Sequence, residues 1–238
     1  MQDCTVKLRS ISANGRRYVI GMSYKNEFIR FMADCGVLTF GDFTLKSGRK
    51  APYFINTGNY NKGSQLARLG EFYADCIKEN NIEADCLFGP AYKGIPLAAG
   101  AAAALYSKYK IDMGYCFDRK EAKDHGEGGL FVGMHPKDGD RVVIIEDVMT
   151  SGKALREVLP KLKAAGDLTV AGMVITVDRM EKGLDSELSA VQQADRDFGV
   201  KVHSIVNIDD IISAIETGVI GGKEYLKKIK DYRKEYGV

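Results

Sequence analysis

The stretch that decides the fold runs from Val142 to Arg156 and reads Val-Val-Ile-Ile-Glu-Asp-Val-Met-Thr-Ser-Gly-Lys-Ala-Leu-Arg. Its first four residues are branched aliphatics, which predicts a strand buried on both faces, as in a parallel sheet. Glu146 and Asp147 follow where this strand ends, and a Thr-Ser-Gly turn then leads into a helical run. Because ligands of open α/β sheets bind at the carboxyl ends of the strands, we expect a binding site here.

The turn at 150–152 supplies backbone N–H groups and small hydroxyls at the start of a helix. Such groups hold phosphate, because unpaired N–H groups and the helix dipole favour an anion. The acidic pair Glu146 and Asp147, directly before the turn, suits a ligand that also carries hydroxyls or positive charge. A ribose phosphate combines these properties. The alternative is an acidic strand end that only caps the next helix, which is a common arrangement.

The segment Glu-Asp-Val-Met-Thr-Ser-Gly-Lys-Ala at 146–154 resembles the motif with which type I phosphoribosyltransferases bind 5-phosphoribosyl-1-pyrophosphate (PRPP). Three further segments narrow the resemblance to the orotate phosphoribosyltransferases, and they lie at 43–54, 89–96 and 118–129. They read Phe-Thr-Leu-Lys-Ser-Gly-Arg-Lys-Ala-Pro-Tyr-Phe, Gly-Pro-Ala-Tyr-Lys-Gly-Ile-Pro and Asp-Arg-Lys-Glu-Ala-Lys-Asp-His-Gly-Glu-Gly-Gly. Four separated motifs in the expected order make the match far more specific than any one of them.

The resemblance implies the type I phosphoribosyltransferase fold, an α/β fold with a central parallel sheet flanked by helices and a small N-terminal hood. It also implies transfer of the 5-phosphoribosyl group from PRPP to orotate, which gives orotidine 5′-phosphate and pyrophosphate in pyrimidine (UMP) synthesis. We expect one phosphoribosyltransferase domain over 22–238, with the hood mainly from 22–60. Residues 1–21 are expected to be a dispensable extension, disordered or loosely packed, although their basic and serine content faintly resembles an organellar presequence.

Strands alternate with helices along the chain, which predicts βα units and a parallel sheet. Apolar runs predict the strands, and apolar residues at helical spacing predict the helices. The predicted strands are 37–45, 52–56, 86–88, 113–117, 142–145, 169–177 and 202–206. The predicted helices are 25–33, 66–77, one from 95, one from 153, 186–198, 208–215 and 223–236.

The composition is ordinary for a soluble globular protein, with 45% hydrophobic and 28% charged residues in a chain of 238. A net charge of +2 creates no field that favours nucleic acid or an anionic membrane. The five cysteines are scattered without a Cys-x-x-Cys pair or metal-like spacing, which indicates reduced thiols in a cytoplasmic protein. The longest uncharged run, 94–107, is too short to span a bilayer and predicts a buried helix.

Carboxylates that hold ribose hydroxyls orient the sugar and stabilise the positive charge that grows on its ring during transfer. We therefore assign catalytic roles to Glu146 and Asp147.

By resemblance, 89–96 is the pyrophosphate loop, although taken alone it is equally well an ordinary strand–helix turn. Lys153 stands where relatives often carry Thr, and its head group is expected in solvent. The expected PRPP-binding residues are Lys46, Tyr92, Lys93, Arg119, Lys120, Lys123, His125, Glu146, Asp147, Val148, Met149, Thr150, Ser151, Gly152, Lys153 and Ala154.

Arg119, Lys120, Lys123 and His125 place four potential cations in seven residues, followed by glycines. Such a run is usually a solvated loop. A leaving pyrophosphate, however, needs its growing charge neutralised, and a mobile flap that closes would do this while excluding water. We therefore assign catalytic roles to Lys123 and His125, the latter as a proton or hydrogen-bond donor. The resemblance implies that this flap, Arg119–Gly129, reaches the neighbouring subunit's site in a homodimer.

The resemblance also assigns residues to orotate, and these are Lys46, Phe54, Ile55, Thr150 and Arg179. Phe54 and Ile55 would pack over the base, with Ile55 standing where relatives often carry a second aromatic. Arg179 would pair with the orotate carboxylate, because a guanidinium fork fits a planar carboxylate. Taken alone, Arg179 could equally form a surface ion pair with Asp178 or Glu181.

Mg²⁺ is implied by the ligand, since pyrophosphate, ribose hydroxyls and water can supply most of its oxygen ligands, and we assign no protein metal ligand.

Two alternative functions remain. A transferase for a purine or for uracil would leave Arg179 and Lys46 without a carboxylate to pair with. A PRPP-sensing regulator would be expected to carry a DNA-binding domain or a strongly basic face. We expect no fused decarboxylase in a chain of this length.

Overall fold

The computed structural model describes residues 9–11, 17–19, 22–123, 129–149 and 152–238, with only the backbone described at 9–11, 17–19, 120–123 and 129. The strands are β1 (Arg9–Ile11), β2 (Arg17–Val19), β3 (Leu38–Thr44), β4 (Lys50–Ile55), β5 (Cys86–Gly89), β6 (Gly114–Lys123), β7 (Gly129–Gly133), β8 (Arg141–Ile145), β9 (Thr169–Asp178) and β10 (Val202–Asn207). The α-helices are α1 (Tyr24–Asp34), α2 (Gly63–Glu79), α3 (Gly94–Tyr109), α4 (Lys153–Ala165), α5 (Ala190–Phe198), α6 (Ile208–Glu216) and α7 (Leu226–Tyr236). Short 3₁₀ turns lie at Thr57–Asn59 and Lys223–Tyr225.

Within the described residues, six strands form the central sheet in the order β10-β9-β8-β5-β6-β7. The first five run parallel, and β7 pairs antiparallel with β6 at one edge. β8 lies between β5 and β9, so both of its edges are hydrogen-bonded and Val142 to Ile145 are fully buried. The predicted α/β fold with a central, mostly parallel sheet is confirmed.

Helices cover both faces of the sheet. Successive residues of a strand point to opposite faces, and β8 shows this clearly. Val143 and Ile145 pack into the apolar cluster that contains α1, α2, α3 and α6. Val142 and Ile144 pack into the cluster formed with α4 and α5. A strand that is buried on both sides needs a continuous apolar run, which explains the four branched residues.

The alanine-rich helix α3 packs tightly against α2. A Cβ atom added at Gly70 of α2 would lie 2.4 Å from the carbonyl oxygen of Gly100 on α3, so the two backbones nearly touch. Ala101 and Leu105 are fully buried, as the apolar run predicts. No helix in the described part of the chain is long and apolar enough to cross a membrane.

A separate antiparallel hairpin, β3–β4, forms a small second layer beside the sheet. Leu38, Ala51 and Tyr53 of this hairpin are buried in the same apolar cluster as α1 and α7. The ring of Tyr53 meets Tyr232 of α7 edge-on, with centroids 6.0 Å apart. The C-terminal helix therefore holds the hairpin in the region expected to form the hood.

Two helices begin later than predicted. The helix predicted from 186 begins at Ala190, because Ser189 caps it: the Gln192 N–H donates to Ser189 Oγ at 3.2 Å, and the Ser189 N–H donates to Gln192 Oε1 at 2.9 Å. The terminal helix predicted from 223 begins with a 3₁₀ turn and becomes α-helical at Leu226. In both cases the apolar spacing begins a few residues before the first α-helical residue.

The basic segment that begins at Arg119 departs most from expectation. The predicted strand ends at 117, but β6 continues to Lys123 and returns as β7 from Gly129, with Lys123 paired to Gly129. The prediction of a loop at 119–123 was wrong, because β6 continues through this segment: Asp118 pairs with Phe131 and Lys123 with Gly129, with an irregular register between them. Residues 124–128 lie outside the described part, as do most of 1–21, so the mobile flap and the dispensable extension stay predictions.

The turn between β5 and α3 is too closely packed to accept side chains. A Cβ atom at Gly89 would lie 2.2 Å from the Gly94 carbonyl oxygen. A Cβ atom at Gly94 would lie 2.6 Å from Pro90 Cδ and 2.9 Å from the Ile145 carbonyl oxygen. Real Cβ contacts are not this short, so both positions require glycine. The two glycines allow α3 to start directly against the end of β8.

We predict that Gly94→Ala lowers the free energy of unfolding by about 1–3 kcal/mol, because its methyl group must displace backbone on two neighbouring elements. Each kcal/mol lowers the Tm of a chain of this size by roughly 2–4 °C. Gly63→Ala is the matched control, since a Cβ at that helix position meets nothing within 4 Å. Thermal unfolding followed by circular dichroism compares the two variants. An unchanged Tm for Gly94→Ala would contradict the packing argument.

Candidate active site

The backbone of the acidic pair is fixed by neighbouring elements. Glu146 and Asp147 directly follow β8. The carbonyl oxygen of Asp147 accepts the Thr176 N–H at 2.9 Å and the Thr176 hydroxyl at 2.6 Å, so pairing with β9 continues past the strand end. The carbonyl oxygen of Glu146 accepts the Tyr73 hydroxyl from α2 at 2.7 Å. The two carboxyl groups are therefore carried on rigid backbone.

Hydrogen bonds surround the carboxylate of Asp147, which is only 8% exposed. Its Oδ2 accepts the Thr57 hydroxyl and the Lys93 ammonium, each at 2.7 Å, and its Oδ1 accepts the Val148 N–H at 2.7 Å. Burial alone would raise the pKa of Asp147. The hydrogen bonds from Lys93, Thr57 and Val148 outweigh burial and hold this pKa below its ordinary value. Asp147 is therefore ionised at neutral pH.

The neighbouring carboxyl group behaves differently. Burial raises the pKa of Glu146 from its ordinary 4.5 to about 7, and the negative charge of Asp147 adds to this rise. The Asp147 N–H donates to Glu146 Oε1 at 3.0 Å, and this bond offsets only part of the rise. The pair therefore holds one carboxylate that stays charged and one that gains or loses a proton near neutral pH.

Lys93 reaches this pair from the loop that follows β5. Its side chain is 64% exposed, so it approaches Asp147 from the solvent side. The preceding loop is tied to the sheet, because the Ala91 N–H donates to Asp118 Oδ1 at 2.7 Å and the Lys161 ammonium binds the other Asp118 oxygen. Tyr92 is exposed at the tip of this loop, after a cis peptide bond.

Arg119 is the one predicted flap residue whose side chain the structure describes. It follows the buried Asp118 on β6. Its Nη1 is buried, and no group in the described part of the chain accepts a hydrogen bond from it. The side chains of Lys120 and Lys123, and the whole of His125, lie outside the described residues.

The predicted phosphate turn is described at both ends. Val148 pairs with Val177, and Met149 packs into the apolar cluster beneath α4. Thr150 and Ser151 lie outside the described residues. Gly152 then caps α4 with φ +64°, a left-handed conformation that favours glycine.

The first turn of α4 follows that glycine. The Arg156 N–H donates to the Gly152 carbonyl oxygen at 3.1 Å. Lys153 is exposed and lies 3.6 Å from Glu157, so its head group is in solvent, as predicted. Ala154 is half-buried beside it. The Lys153 charge at the start of α4 is therefore turned to solvent.

Three of the five residues predicted to contact a base, Lys46, Phe54 and Ile55, lie on the β3–β4 hairpin. Lys46 is exposed in the turn between the two strands, where the Gly48 N–H donates to the Leu45 carbonyl oxygen at 2.9 Å. Phe54 is 39% exposed and stacks on Phe43, with centroids 5.5 Å apart. Ile55 points to the opposite side of β4 and packs against the apolar core. The structure therefore separates the two predicted stacking residues and leaves one accessible ring.

Arg179 directly follows β9 and is largely buried. Its Nη2 lies 2.5 Å from Glu181 Oε1, whereas Asp178 accepts the Met180 N–H at 2.8 Å. Of the two ion pairs considered from the sequence, the one with Glu181 is present. Burial would lower the pKa of Arg179, but Tyr53 and Glu181 raise it above its ordinary value, so the guanidinium stays charged. Its Nε and Nη2 are both buried, and no group among the described residues accepts a hydrogen bond from either of them.

A cavity of about 380 Å³ opens beside Asp147, between the start of α2 and the start of α3. Thr57, Lys93 and Asp147 form its polar wall, and Leu66 and Leu97 contribute to its apolar side. The predicted site residues thus form two groups. One group surrounds the acidic pair, and the other lies on the hairpin and at the end of β9.

Sequence reasoning missed several residues that shape the site. Asp118 had a signal, because it ends an apolar segment just as Glu146 does. Thr57, Tyr73 and Thr176 had none. They reach the acidic pair only because α2, β9 and the 57–59 turn converge there.

A family model described as a phosphoribosyl transferase domain matches residues 56–203. The orotate phosphoribosyltransferase of Clostridium botulinum (strain Alaska E43 / Type E3) is 50% identical over 221 residues, covering 90% of this chain and 98% of its own. That of Vibrio parahaemolyticus is 50% identical over 216 residues, with 91% and 99% covered. The crystal structure of the Francisella tularensis orotate phosphoribosyltransferase matches with a TM-score of 0.80 and 43% identity, covering 89% of this chain and all of that one, 100%.

We predict that Glu146 titrates near pH 7 in the unliganded protein, which carboxyl-carbon NMR measures directly. Asp147→Asn should lower the pKa of Glu146, because it removes a neighbouring negative charge. Lys93→Met should raise it, because it removes a positive charge. The two variants shift the titration in opposite directions and control for each other. A Glu146 titration near 4.5, its ordinary value, would contradict the burial argument.

Proposed function

The chain belongs to the orotate phosphoribosyltransferase family, and we propose that the Glu146–Asp147 site carries out that family's reaction. The reaction transfers the 5-phosphoribosyl group from PRPP to orotate and gives orotidine 5′-phosphate and pyrophosphate, a step of pyrimidine synthesis. The observation that carries the assignment to this site is the carboxylate pair at the end of β8, with Asp147 buried and Glu146 half-buried, followed by the glycine-capped start of α4.

The acidic pair acts on the ribose. Its carboxylates accept hydrogen bonds from the ribose hydroxyls and stabilise the positive charge that develops on the ring as pyrophosphate leaves. Asp147 is already ionised, and Glu146 loses its proton near neutral pH, so both can carry negative charge when the ribose becomes cationic. No covalent nucleophile is needed. Catalysis comes from orientation and charge stabilisation.

Lys93 changes partner during the reaction. In the unliganded protein it neutralises Asp147 from the solvent side, at 2.7 Å. When ribose hydroxyls bind to Asp147, the exposed ammonium turns to the pyrophosphate oxygens, which offer a stronger negative charge. The loop around Tyr92 binds the same oxygens, together with Arg119, whose Nη1 has no acceptor among the described residues. The backbone N–H groups around Gly152, with Thr150 and Ser151, hold the 5-phosphate.

The base binds on the hairpin side. Arg179 pairs with the orotate carboxylate, Phe54 offers its accessible ring to the base, and Lys46 contributes positive charge from the hairpin turn. A base without a carboxylate would leave the guanidinium of Arg179 with an incomplete set of acceptors. This cost favours orotate over uracil or a purine.

Mg²⁺ binds together with PRPP. The described residues contain no group of three or more His, Cys, Asp or Glu side chains that could hold a metal ion. Mg²⁺ would be held mainly by pyrophosphate and ribose oxygens and by water, and it would supply positive charge to the leaving group. We also propose a cytoplasmic homodimer in which the flap is shared between subunits, with residues 22–238 sufficient for activity.

The test is the loss of orotate ultraviolet absorbance with purified protein, PRPP and Mg²⁺, with uracil and hypoxanthine followed in parallel. We expect PRPP-dependent conversion of orotate alone. Asp147→Asn should lower kcat/KM by roughly 10²–10³, the effect of losing one charge-stabilising group. Asp112→Asn, the same change at an exposed position before β6, is the matched control. Conversion of another base alone would overturn the orotate assignment and leave the PRPP site standing.

We predict that Lys123→Ala lowers the single-turnover rate roughly 10²-fold or more, while the Kd for PRPP changes much less. The reason is that Lys123 acts on charge that grows on pyrophosphate only as the bond breaks. Lys137→Ala removes an exposed lysine at the opposite end of the sheet, before β8, and is the control. An unchanged single-turnover rate for Lys123→Ala would remove this residue from the catalytic group.

A further inference from the structure

The side chain of Glu181 joins the end of β9 to the β3–β4 hairpin. It is 14% exposed. Its Oε1 lies 2.5 Å from Arg179 Nη2 and accepts the Tyr53 hydroxyl at 3.0 Å. Its Oε2 lies 3.7 Å from Arg49 Nη1. The Glu181 carboxylate therefore contacts Arg179, the residue proposed to bind orotate, and two residues of the hairpin, Tyr53 and Arg49.

The hairpin fixes the segment that carries Glu181. Arg49 donates to the carbonyl oxygens of Lys182 at 2.9 Å and Gly183 at 3.2 Å. Its guanidinium also lies 4.7 Å from the ring centre of Tyr236 at the end of α7. Backbone acceptors and an aromatic face together hold Arg49 in place.

The C-terminal residues hold the same segment from another side. The Lys182 N–H donates to the Tyr236 carbonyl oxygen at 2.8 Å, and the Val238 N–H donates to the Met180 carbonyl oxygen at 3.0 Å. Glu181 forms an antiparallel bridge with Gly237 between these two bonds. The position of Glu181 is thus set by two parts of the chain that are remote in sequence.

The positive charges of Arg49 and Arg179 are only partly balanced. In the described part of the chain, the ion pairs of Arg49 and Arg179 both use Glu181. Two guanidinium groups share one carboxylate. Among the described residues, no group accepts a hydrogen bond from the buried Nε of Arg179 or from its buried Nη2, which is near Glu181 only as an ion pair. A second carboxylate would balance the charge and supply the missing acceptor. Orotate carries such a group.

We propose that Glu181 is a positioning residue for recognition of the base. It holds one edge of the Arg179 guanidinium, and the remaining N–H groups are left to the carboxylate of the substrate. A guanidinium already held by Glu181 loses less conformational freedom when the substrate binds. This inference rests on the proposed function, because it takes Arg179 as the ligand of the orotate carboxylate.

The test compares Glu181→Gln with Glu187→Gln. Glu187 lies on the same segment and pairs with Lys182, but its side chain is 86% exposed and touches neither arginine in an ion pair. We expect Glu181→Gln to raise the KM for orotate about tenfold, the loss of one charged contact, while the KM for PRPP stays within about twofold. Glu187→Gln should change neither. An equal rise in both KM values would overturn a role specific to the base.

A double variant tests whether Glu181 acts through Arg179. In the Arg179→Ala background, Glu181→Gln should cause no further rise in the KM for orotate, since the group that it positions is gone. Fully additive effects would overturn the proposal. If Glu181→Gln fails to fold by circular dichroism, Tyr53→Phe removes one donor to Glu181 and should raise the KM for orotate about two- to fivefold. No change in that KM would count against the proposal.

The proposed function and this inference fail in different ways. If the wild-type protein does not convert orotate, the proposed function is wrong and the inference falls with it. If the wild type converts orotate and Arg179→Ala raises the KM for orotate, but Glu181→Gln does not, only the positioning role of Glu181 is overturned.

Discussion

Two adjacent carboxyl groups at the end of β8, Asp147 buried and Glu146 half-buried, are the constraint on which the rest of the structure depends. A buried carboxylate is stable only when other groups replace the water that it loses. Asp147 obtains these groups from the start of α3 and from the 57–59 turn, while α2 and β9 bind the backbone of the pair. Glu146 has fewer partners, so its pKa rises instead. The glycines at 89 and 94 follow from the same constraint, since they bring α3 close enough for Lys93 to reach Asp147.

On the base side of the site, largely buried charges also need partners, but there the charges are positive. There the buried groups are guanidinium ions, and Glu181 balances only part of their charge. The segments that build this side come from the hairpin, the end of β9 and the last three residues of the chain. Of these, the hairpin and the C-terminal residues lie outside the matched phosphoribosyl transferase domain, 56–203. The acidic pair lies inside it. Under the proposed function, PRPP binds at the sheet inside this domain. The base is recognised by Arg179 and Glu181, which also lie inside it, together with the hairpin and the C-terminal residues outside it.

Much of the fold could be predicted from local pattern. The run at 142–145 predicted a central strand because a strand with two covered faces must be apolar throughout. Alternation of strands and helices predicted the parallel sheet. Local pattern was less reliable where pairing or capping decides the outcome. The charged residues after Phe117 do not look like a strand, yet β7 makes them one. Ser189 starts α5 by its capping bonds, three residues after the point that apolar spacing favoured.

The sequence by itself determined the position of the acidic pair and the family to which the motifs point, and it predicted the phosphate turn that follows the pair. These are features of consecutive residues, so they can be recognised without knowing the fold. Only the tertiary structure decided which groups stabilise the buried charges. Thr57 lies 90 residues from Asp147, and Tyr53 lies 128 residues from Glu181. Nothing in the neighbourhood of these residues in the sequence marks them as partners. Because a buried charge is stabilised by whatever polar groups the fold brings within hydrogen-bond distance, its partners become visible only when the chain is folded.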